Sequence, residues 1–274
     1  MLFIINPRYA ALEDSLRSAI ADFDASGTVI YKGRNTLKAF NVGGCHFVVK
    51  KFKTLDFLKG VIYTFFRKTK ARRSYENAQT LQSRGIDTPS PIAFIESKRC
   101  GLNSETFYIC EHTDYREIAE ELNASEDFNK SLAEAYGRFA ATLHEKGILH
   151  YDLNSGNVLF KSKLKSELKS ELKSESKSKL KLKSEPEPDY HFQLIDINRM
   201  KFMPEGTAVP MDDCLENLTL FTGNLKLHAF VAESYAKQRG FDINEFVAKA
   251  SERKRIHDKA WRRHKRITHP FRKD

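Results

Sequence analysis

The 274-residue sequence predicts a bilobal α+β fold, with a small antiparallel-sheet N-lobe over residues 1–112 and a mostly helical C-lobe over residues 113–274. Three observations predict it. Short β-branched and aromatic runs crowd the first lobe, at 46–53, 92–95 and 106–110, around one helical stretch at 72–84. Apolar residues at helical spacing dominate the second, at 132–143 and again beyond Asp212. Five polar side chains, Lys50, Glu76, Asp152, Asn157 and Asp196, are spread over both halves within or beside these runs. The length suffices for two lobes with a real core.

In the first lobe, His46-Phe-Val-Val-Lys-Lys-Phe-Lys53 reads as a strand. Strand side chains alternate with period two, so Val48 and Lys50 share one face and Lys51 points to the other. A small apolar side chain two positions before a lysine suits a nucleotide site, the first under the base and the second on the phosphates. The register stays open by one residue between Lys50 and Lys51, and the pairing with Val48 selects Lys50. Arg72–Arg84 is helical in composition and stops at Gly85, a suitable left-handed cap. Glu76 lies mid-helix. Beside two arginines it could be an ordinary surface ion pair; in this order after the lysine strand it reads as the carboxylate that holds the lysine. Thr88-Pro-Ser-Pro91 breaks the chain before strands at Ile92–Ile95 and Thr106–Cys110. Glu111–Asp114 then reads as the connection whose backbone would meet adenine. Tyr31–Lys38 is the expected nucleotide-covering loop. Its one glycine, Gly33, serves a plain hairpin turn as readily as a phosphate clamp, and Arg34 and Lys38 would supply charge where backbone amides are missing.

In the second lobe, Leu132, Ala135, Tyr136, Phe139, Ala140 and Leu143 recur at helical spacing and end near Gly147. Behind them comes Ile148-Leu-His-Tyr-Asp-Leu-Asn-Ser-Gly-Asn-Val-Leu159. Its spacing His-x-Asp-Leu-x-x-x-Asn sets a carboxylate at Asp152 and a carboxamide at Asn157, and Asp196 follows in Phe192-Gln-Leu-Ile-Asp-Ile197. Alone, Asp152 and Asn157 would pass as turn residues. In this order the set fits phosphoryl transfer: one aspartate takes or orients the acceptor hydroxyl's proton, while an asparagine and a later aspartate hold metal at the phosphates. Tyr151 stands where a phosphorylated activation loop would find an arginine. No Ala-Pro-Glu follows Asp196; Met203–Met211 is the nearest segment. Both absences favour a small-molecule or glycolipid acceptor over a protein.

The stretches Gly33–Asn35, Val48–Lys50, Tyr63–Ala78, Gly85–Pro89, Leu149–Asn154 and Leu194–Arg199 resemble the bacterial lipopolysaccharide kinase family, of the Kdo/heptose kinase (WaaP/InaA) type. The resemblance covers residues 28–205 apart from one insert. It implies a protein-kinase-like fold and transfer of the ATP γ-phosphate, with Mg²⁺, to a Kdo or heptose hydroxyl of the lipopolysaccharide inner core. The location it implies is cytoplasmic, at the inner face of the inner membrane. By the same resemblance Asp152 is the base, Lys50 and Glu76 form an ion pair, and Asn157 and Asp196 are metal ligands. Gly33, Val48, Lys50 and Glu111 would surround the nucleotide. Ile197-Asn198 stands in place of Phe-Gly, which removes the glycine of a switching loop.

Charge is unevenly spread. Residues 161–189 carry nine Lys against five Glu and one Asp, and residues 251–274 carry ten Lys or Arg against three acids, so these segments hold the whole formal +10. The first is a Lys-Ser-Glu-Leu repeat that stacks like charges at i,i+4 and reads as a disordered excursion. Closing it costs only about 2 kcal/mol over a short turn. The second, with Ile256, Trp261 and Ile267 interleaved, suits an anionic membrane surface. Residues 57–74 mix Phe57, Tyr63, Phe65 and Phe66 with six basic residues and no acid, a second stretch suited to a membrane surface or lipid phosphate, although such aromatics commonly fill a core. No zinc or RNA-binding pattern accompanies these patches, so nucleic acid is not an expected partner. Cys45, Cys100, Cys110 and Cys214 lack ligand-like spacing. No apolar run is long enough to span a membrane, and the start lacks a basic signal region. Two rival functions stay open: a kinase acting on a protein hydroxyl or another small molecule, and a nucleotide-binding adaptor without catalysis.

Overall fold

The computed structural model describes residues 1–123, 127–163 and 189–268. The chain forms two compact units, residues 1–114 with 194–200, and residues 115–193 with 201–274. In the first unit the elements run β1 (Leu2–Ile5), α1 (Glu13–Ala21), β2 (Thr28–Lys32), β3 (Thr36–Val42), β4 (Cys45–Lys51), α2 (Phe57–Phe65), α3 (Lys70–Ser83), β5 (Pro91–Arg99) and β6 (Leu102–Glu111). The six strands make one antiparallel sheet in the order β1-β5-β6-β4-β3-β2.

Alternation along β4 separates two cores. Phe47 and Val49 are fully buried with Phe23, Phe107 and Ile109, in a cluster that also takes Leu16 and Ala19 of α1. On the other side, Phe52, Phe94 and Tyr108 pack with Ala71 and Tyr75 of α3. Thr69 starts α3 two residues before the predicted stretch: its hydroxyl accepts from Arg72 N–H at 3.1 Å and donates to Glu96 at 2.6 Å. The segment 194–200, which the sequence assigns to the second lobe, packs with this first unit. Leu194 N–H donates to Asp87 C=O at 3.1 Å, and Thr88 Oγ1 donates to Leu194 C=O at 2.8 Å.

Helices dominate the second unit, which runs β7 (Arg116–Glu117), α4 (Ile118–Leu122), α5 (Lys130–Glu145), β8 (Ile148–His150), β9 (Val158–Lys163), β10 (Asp189–Leu194), β11 (Met200–Phe202), α6 (Met211–Leu218), α7 (Leu225–Arg239) and α8 (Ile243–Thr268). Helix α5 lies hard against α7 at Gly137, where a Cβ would come within 2.8 Å of Val231 C=O. Tyr136 stacks on Phe221 at 3.8 Å, and Tyr235 on Phe246 at 5.1 Å, which joins α7 to α8. Asn129 and Asn224 cap α5 and α7, and Gly240 closes α7 at φ 65°. β9 and β10, the strands on either side of the lysine-rich insert, are neighbours in a sheet ordered β10-β9-β7. The repeat itself, residues 164–188, lies outside the described residues. Among the described residues no helix is long and apolar enough to cross a membrane.

Candidate active site

In the first unit the centre is Lys50. Its ammonium meets Asp196 Oδ1 at 2.7 Å, with Phe52 beneath it at 5.3 Å. Strand alternation directs Lys51 to the opposite face, where it pairs with Glu105 at 3.0 Å and Asp24 at 3.3 Å. Burial opposes that charge, but the two carboxylates outweigh it and raise the Lys51 pKa. Of the two lysines, Lys50 is therefore the one that shares a face with half-buried Val48 and reaches Asp196.

Asp196 sits in a strained backbone. Its φ is 52°, a region that non-glycine residues occupy at a cost of order 1–3 kcal/mol. Helix α3 holds the turn from outside: Arg73 donates to Asn198 C=O at 2.9 Å and Asn77 Nδ2 to Ile197 C=O at 2.6 Å. Inside the turn, Asn198 Nδ2 donates to Asp196 Oδ1 at 2.7 Å. Arg73 and Asn77 were not singled out from the sequence, and Asn198 only as the residue in place of a switching glycine. Their only signal there is that Arg73 and Asn77 are four apart, hence on one helix face.

Glu76 is a correction. Its carboxylate is taken by Lys68 at 2.7 Å and Arg72 at 2.9 Å, not by Lys50. Partial burial works against its ionisation, yet these two bonds hold its pKa below the usual range. The reason is helical period: successive positions turn by about 100°, so Asn77 and Arg73 face the Asp196 turn while Glu76 falls on the stripe of Arg72. Cations gather instead. Lys70 has its pKa lowered by burial first and then by Arg34, with Arg73 and Lys50 adding to the effect and Asp196 opposing it.

The nucleotide-loop residues fare differently. Gly33 N–H donates to Asn35 C=O at 3.0 Å in the β2–β3 turn, and a side chain there would collide with the Tyr31 phenol. Arg34 lines a cavity of about 240 Å³ with Lys53, Lys59 and Lys70. Lys38 is a further correction: it is buried, and its ammonium donates to the carbonyls of Phe23, Asp24 and Ser26. Glu111 N–H goes to Ser90 C=O at 2.9 Å, and its carboxylate accepts from Tyr9 at 2.7 Å. Burial and that bond push the Tyr9 phenol up to about 12.

The second unit carries the Asp152 loop, and local bonds shape it. Asn157 Nδ2 donates to Asp152 C=O at 2.8 Å, Asn154 Nδ2 to Asp152 Oδ1 at 3.1 Å, and Asp152 N–H to His150 Nδ1 at 3.1 Å. Below it lies a buried relay. Asn217 Nδ2 donates to His150 C=O at 2.8 Å, while its Oδ1 meets His144 Nε2 at 3.0 Å and His144 Nδ1 meets Tyr235 Oη at 2.9 Å. Burial drives His144 down to about 4 despite its bond to Asn217. Beside the loop, Ser155, Thr222, His257, Trp261 and Arg262 line a concavity of about 520 Å³.

By ligand type, the Asp196 carboxylate in the first unit is a hard oxygen donor of the kind Mg²⁺ takes, and so is the Asn157 carboxamide oxygen in the second. Among the described residues no group of three or more His, Cys, Asp or Glu forms a self-sufficient metal cage.

Comparison with known proteins places this geometry. A family model for the lipopolysaccharide kinase (Kdo/WaaP) family matches residues 33–202. A solved structure described as WaaP in complex with acyl carrier protein is similar in fold, with a TM-score of 0.59 at 14% identity, covering 94% of this chain and 99% of that one. No curated protein sequence matches. With its sheet-bearing first unit and helical second one, and with the match extending from the Gly33 turn past Asp196, this chain belongs to the lipopolysaccharide kinase (Kdo/WaaP) family, whose members are phosphotransferases acting on sugar hydroxyls.

Proposed function

We propose that the protein transfers the γ-phosphate of ATP to a Kdo or heptose hydroxyl of the lipopolysaccharide inner core. The observation that carries this reading is the Asp152 loop, where a carboxylate is oriented by Asn154 and its backbone is held by Asn157. When bound, Mg²⁺·ATP supplies the phosphoryl group and neutralises its charge. Asp152 orients the acceptor hydroxyl and takes its proton. Lys50 binds phosphate oxygen, and Asn157 and Asp196 hold the metal. Catalysis then comes mostly from positioning and fixed charge. Gly33 and Arg34 cover the phosphates, Val48 lies under the base and the Glu111 segment meets it. Glu76 supports this set through Lys68 and Arg72 instead of through Lys50.

The concavity beside Ser155 is the seat this reading gives the acceptor. An indole face at Trp261 suits a sugar ring, and the Arg262 guanidinium suits a carboxylate or phosphate on it. The reaction belongs at the cytoplasmic face of the inner membrane, with the protein peripheral. Two cations of the basic tail are engaged within the fold, Arg253 with Asp212 at 3.2 Å and Lys254 on Thr219 C=O at 3.0 Å.

The test is transfer of labelled γ-phosphate to core glycolipid isolated from a strain lacking this protein, with the product mapped by mass spectrometry. One added phosphate on Kdo or heptose is the expected result, with Trp261→Ala raising KM for glycolipid and leaving KM for ATP unchanged. An unmodified core, with label passing to a protein or another small molecule, would overturn the acceptor assignment.

A further inference from the structure

Helix α2 has two unlike sides. One is tied to β6: Asn103 Nδ2 donates to Tyr63 C=O at 2.9 Å, Asn103 N–H to Thr64 Oγ1 at 2.8 Å, and a Cβ on Gly60 would approach Asn103 C=O to 3.0 Å. The other side is apolar and open. Phe57 is 78% exposed, Leu58 69%, Phe65 69% and Phe66 82%, with Ile62 at 39% between them. Leu58, Ile62 and Phe65 follow helical spacing, so they form one face with Phe57 beside it. The sequence alone leaves these aromatics open between the core of this lobe and a membrane surface. Phe57, Phe65 and Phe66 stand outside that core, and a continuous apolar face of this size marks an interaction site.

Charge around this face has one dominant sign. Residues 57–74 contain six Lys or Arg and no acid. Asp56 is the exception at the edge, capping the helix through Lys59 N–H at 2.9 Å and pairing with the Lys59 ammonium. Lys68 is shared with Glu76. Next to the helix opens the cavity lined by Arg34, Lys53, Lys59 and Lys70, with Tyr63 of α2 at its wall. An aromatic face bordered by cations and by a cation-lined hollow is complementary to an anionic lipid leaflet, where rings sit at the headgroup boundary and cations meet phosphate.

We infer that α2 docks the protein on an anionic bilayer, its apolar face entering the leaflet and Lys53 and Lys59, at the near wall of that cavity, meeting lipid phosphate. This deepens the kinase reading by assigning the membrane side of a glycolipid-modifying enzyme, and it rests on that reading only for which membrane is met. The partition is dominated by Phe57, Phe65 and Phe66, with Lys53 and Lys59 providing the preference for anionic lipid.

Co-sedimentation of the full chain with vesicles, in the absence of ATP, tests it. The vesicles are phosphatidylcholine alone or phosphatidylcholine mixed with phosphatidylglycerol. Wild type should sediment with the mixed vesicles and much less with the neutral ones. Phe57→Ser/Phe65→Ser/Phe66→Ser, at positions whose exposure leaves packing intact, should lower partitioning by about tenfold or more while transfer to a deacylated, soluble core acceptor stays at the wild-type rate. Lys53→Glu/Lys59→Glu should abolish the difference between the two vesicle types. Equal vesicle binding by the triple variant and wild type would overturn the inference. So would absence of wild-type binding to either vesicle, including the case where the triple variant instead loses binding to an acyl carrier protein. Because sedimentation is read without ATP, a wild type that binds vesicles but transfers no phosphate would fail the reaction and leave the docking surface standing.

Discussion

The Asp152 loop of the second unit and the Asp196 turn of the first are built differently. Around Asp152 the bonds that hold its carboxylate and backbone come from within five residues, through His150, Asn154 and Asn157, and remote partners reach only the flanks, Asn217 at His150 C=O and Asn123 at Ser155 Oγ. Around Asp196 the partners, apart from Asn198, are remote in sequence: Lys50 lies 146 positions away, Arg73 is 125 from Asn198, and Asn77 is 120 from Ile197. A locally wired loop carries its chemistry in a motif. A remotely wired turn depends on which helix face happens to meet it.

The largest break in this comparison is expected at Asp196. Asp196→Asn removes a charge that serves both Lys50 and the proposed metal, and kcat should fall on the order of 10³-fold, about 4 kcal/mol. Far-UV circular dichroism should be unchanged. Retention of a tenth of wild-type activity would remove Asp196 from the metal site.

Next in size is an acid effect confined to the second unit. His144 and His228 are buried and depressed from 6.5 to about 4, in both cases by burial first. Unfolded chains take up these protons below pH 6.5 and the native state does not. Stability from this source is therefore complete above 6.5 and is lost as pH falls toward about 4. Each histidine contributes about 1.4 kcal/mol per pH unit, so roughly 3 kcal/mol disappears by pH 5.5. Urea denaturation of wild type and His228→Gln between pH 7.5 and 5 would read the slope, which the variant should halve.

Smaller still is the pinning of the Asp196 turn. Arg73→Ala/Asn77→Ala should lower kcat about tenfold, roughly 1.4 kcal/mol, with KM for ATP moved less. These residues position Asp196 and do not touch substrate, so a change confined to KM would contradict the role. Smallest is Glu76→Gln. Because its partners are Lys68 and Arg72, the rate should change less than about threefold, within what exposed ion pairs contribute. A loss of a hundredfold would restore the Lys50–Glu76 pairing that the family resemblance implied.

Legibility followed the same division. The α+β character, the strand around Lys50, the α5 helix and the Asp152 loop could be read because each is fixed by local periodicity or spacing. The choice between Lys50 and Lys51 needed only strand alternation once Asp24 and Glu105 were found on the opposite face. Lys38 could not be read as a buried cap for three carbonyls, since those carbonyls come from a turn at 23–26 with no sequence signature. Nor could α2: its aromatics suit a core as readily as a membrane surface until β6 is seen to take Gly60 and Tyr63 and leave the phenylalanines outside. The fate of Glu76 turned on a single helical step. In the tail, Arg253 and Lys254 looked like surface charge because their partners Asp212 and Thr219 lie on another helix and its end.

The most direct test compares wild type with Asp152→Asn for the initial rate of γ-phosphate transfer from Mg²⁺·ATP to purified core glycolipid. Wild type should transfer one phosphate per acceptor, and the variant should be slower by on the order of 10³-fold with its fold and ATP affinity retained. Transfer by Asp152→Asn at the wild-type rate, or none by wild type, would contradict the assignment of Asp152 as the base of a lipopolysaccharide-core kinase.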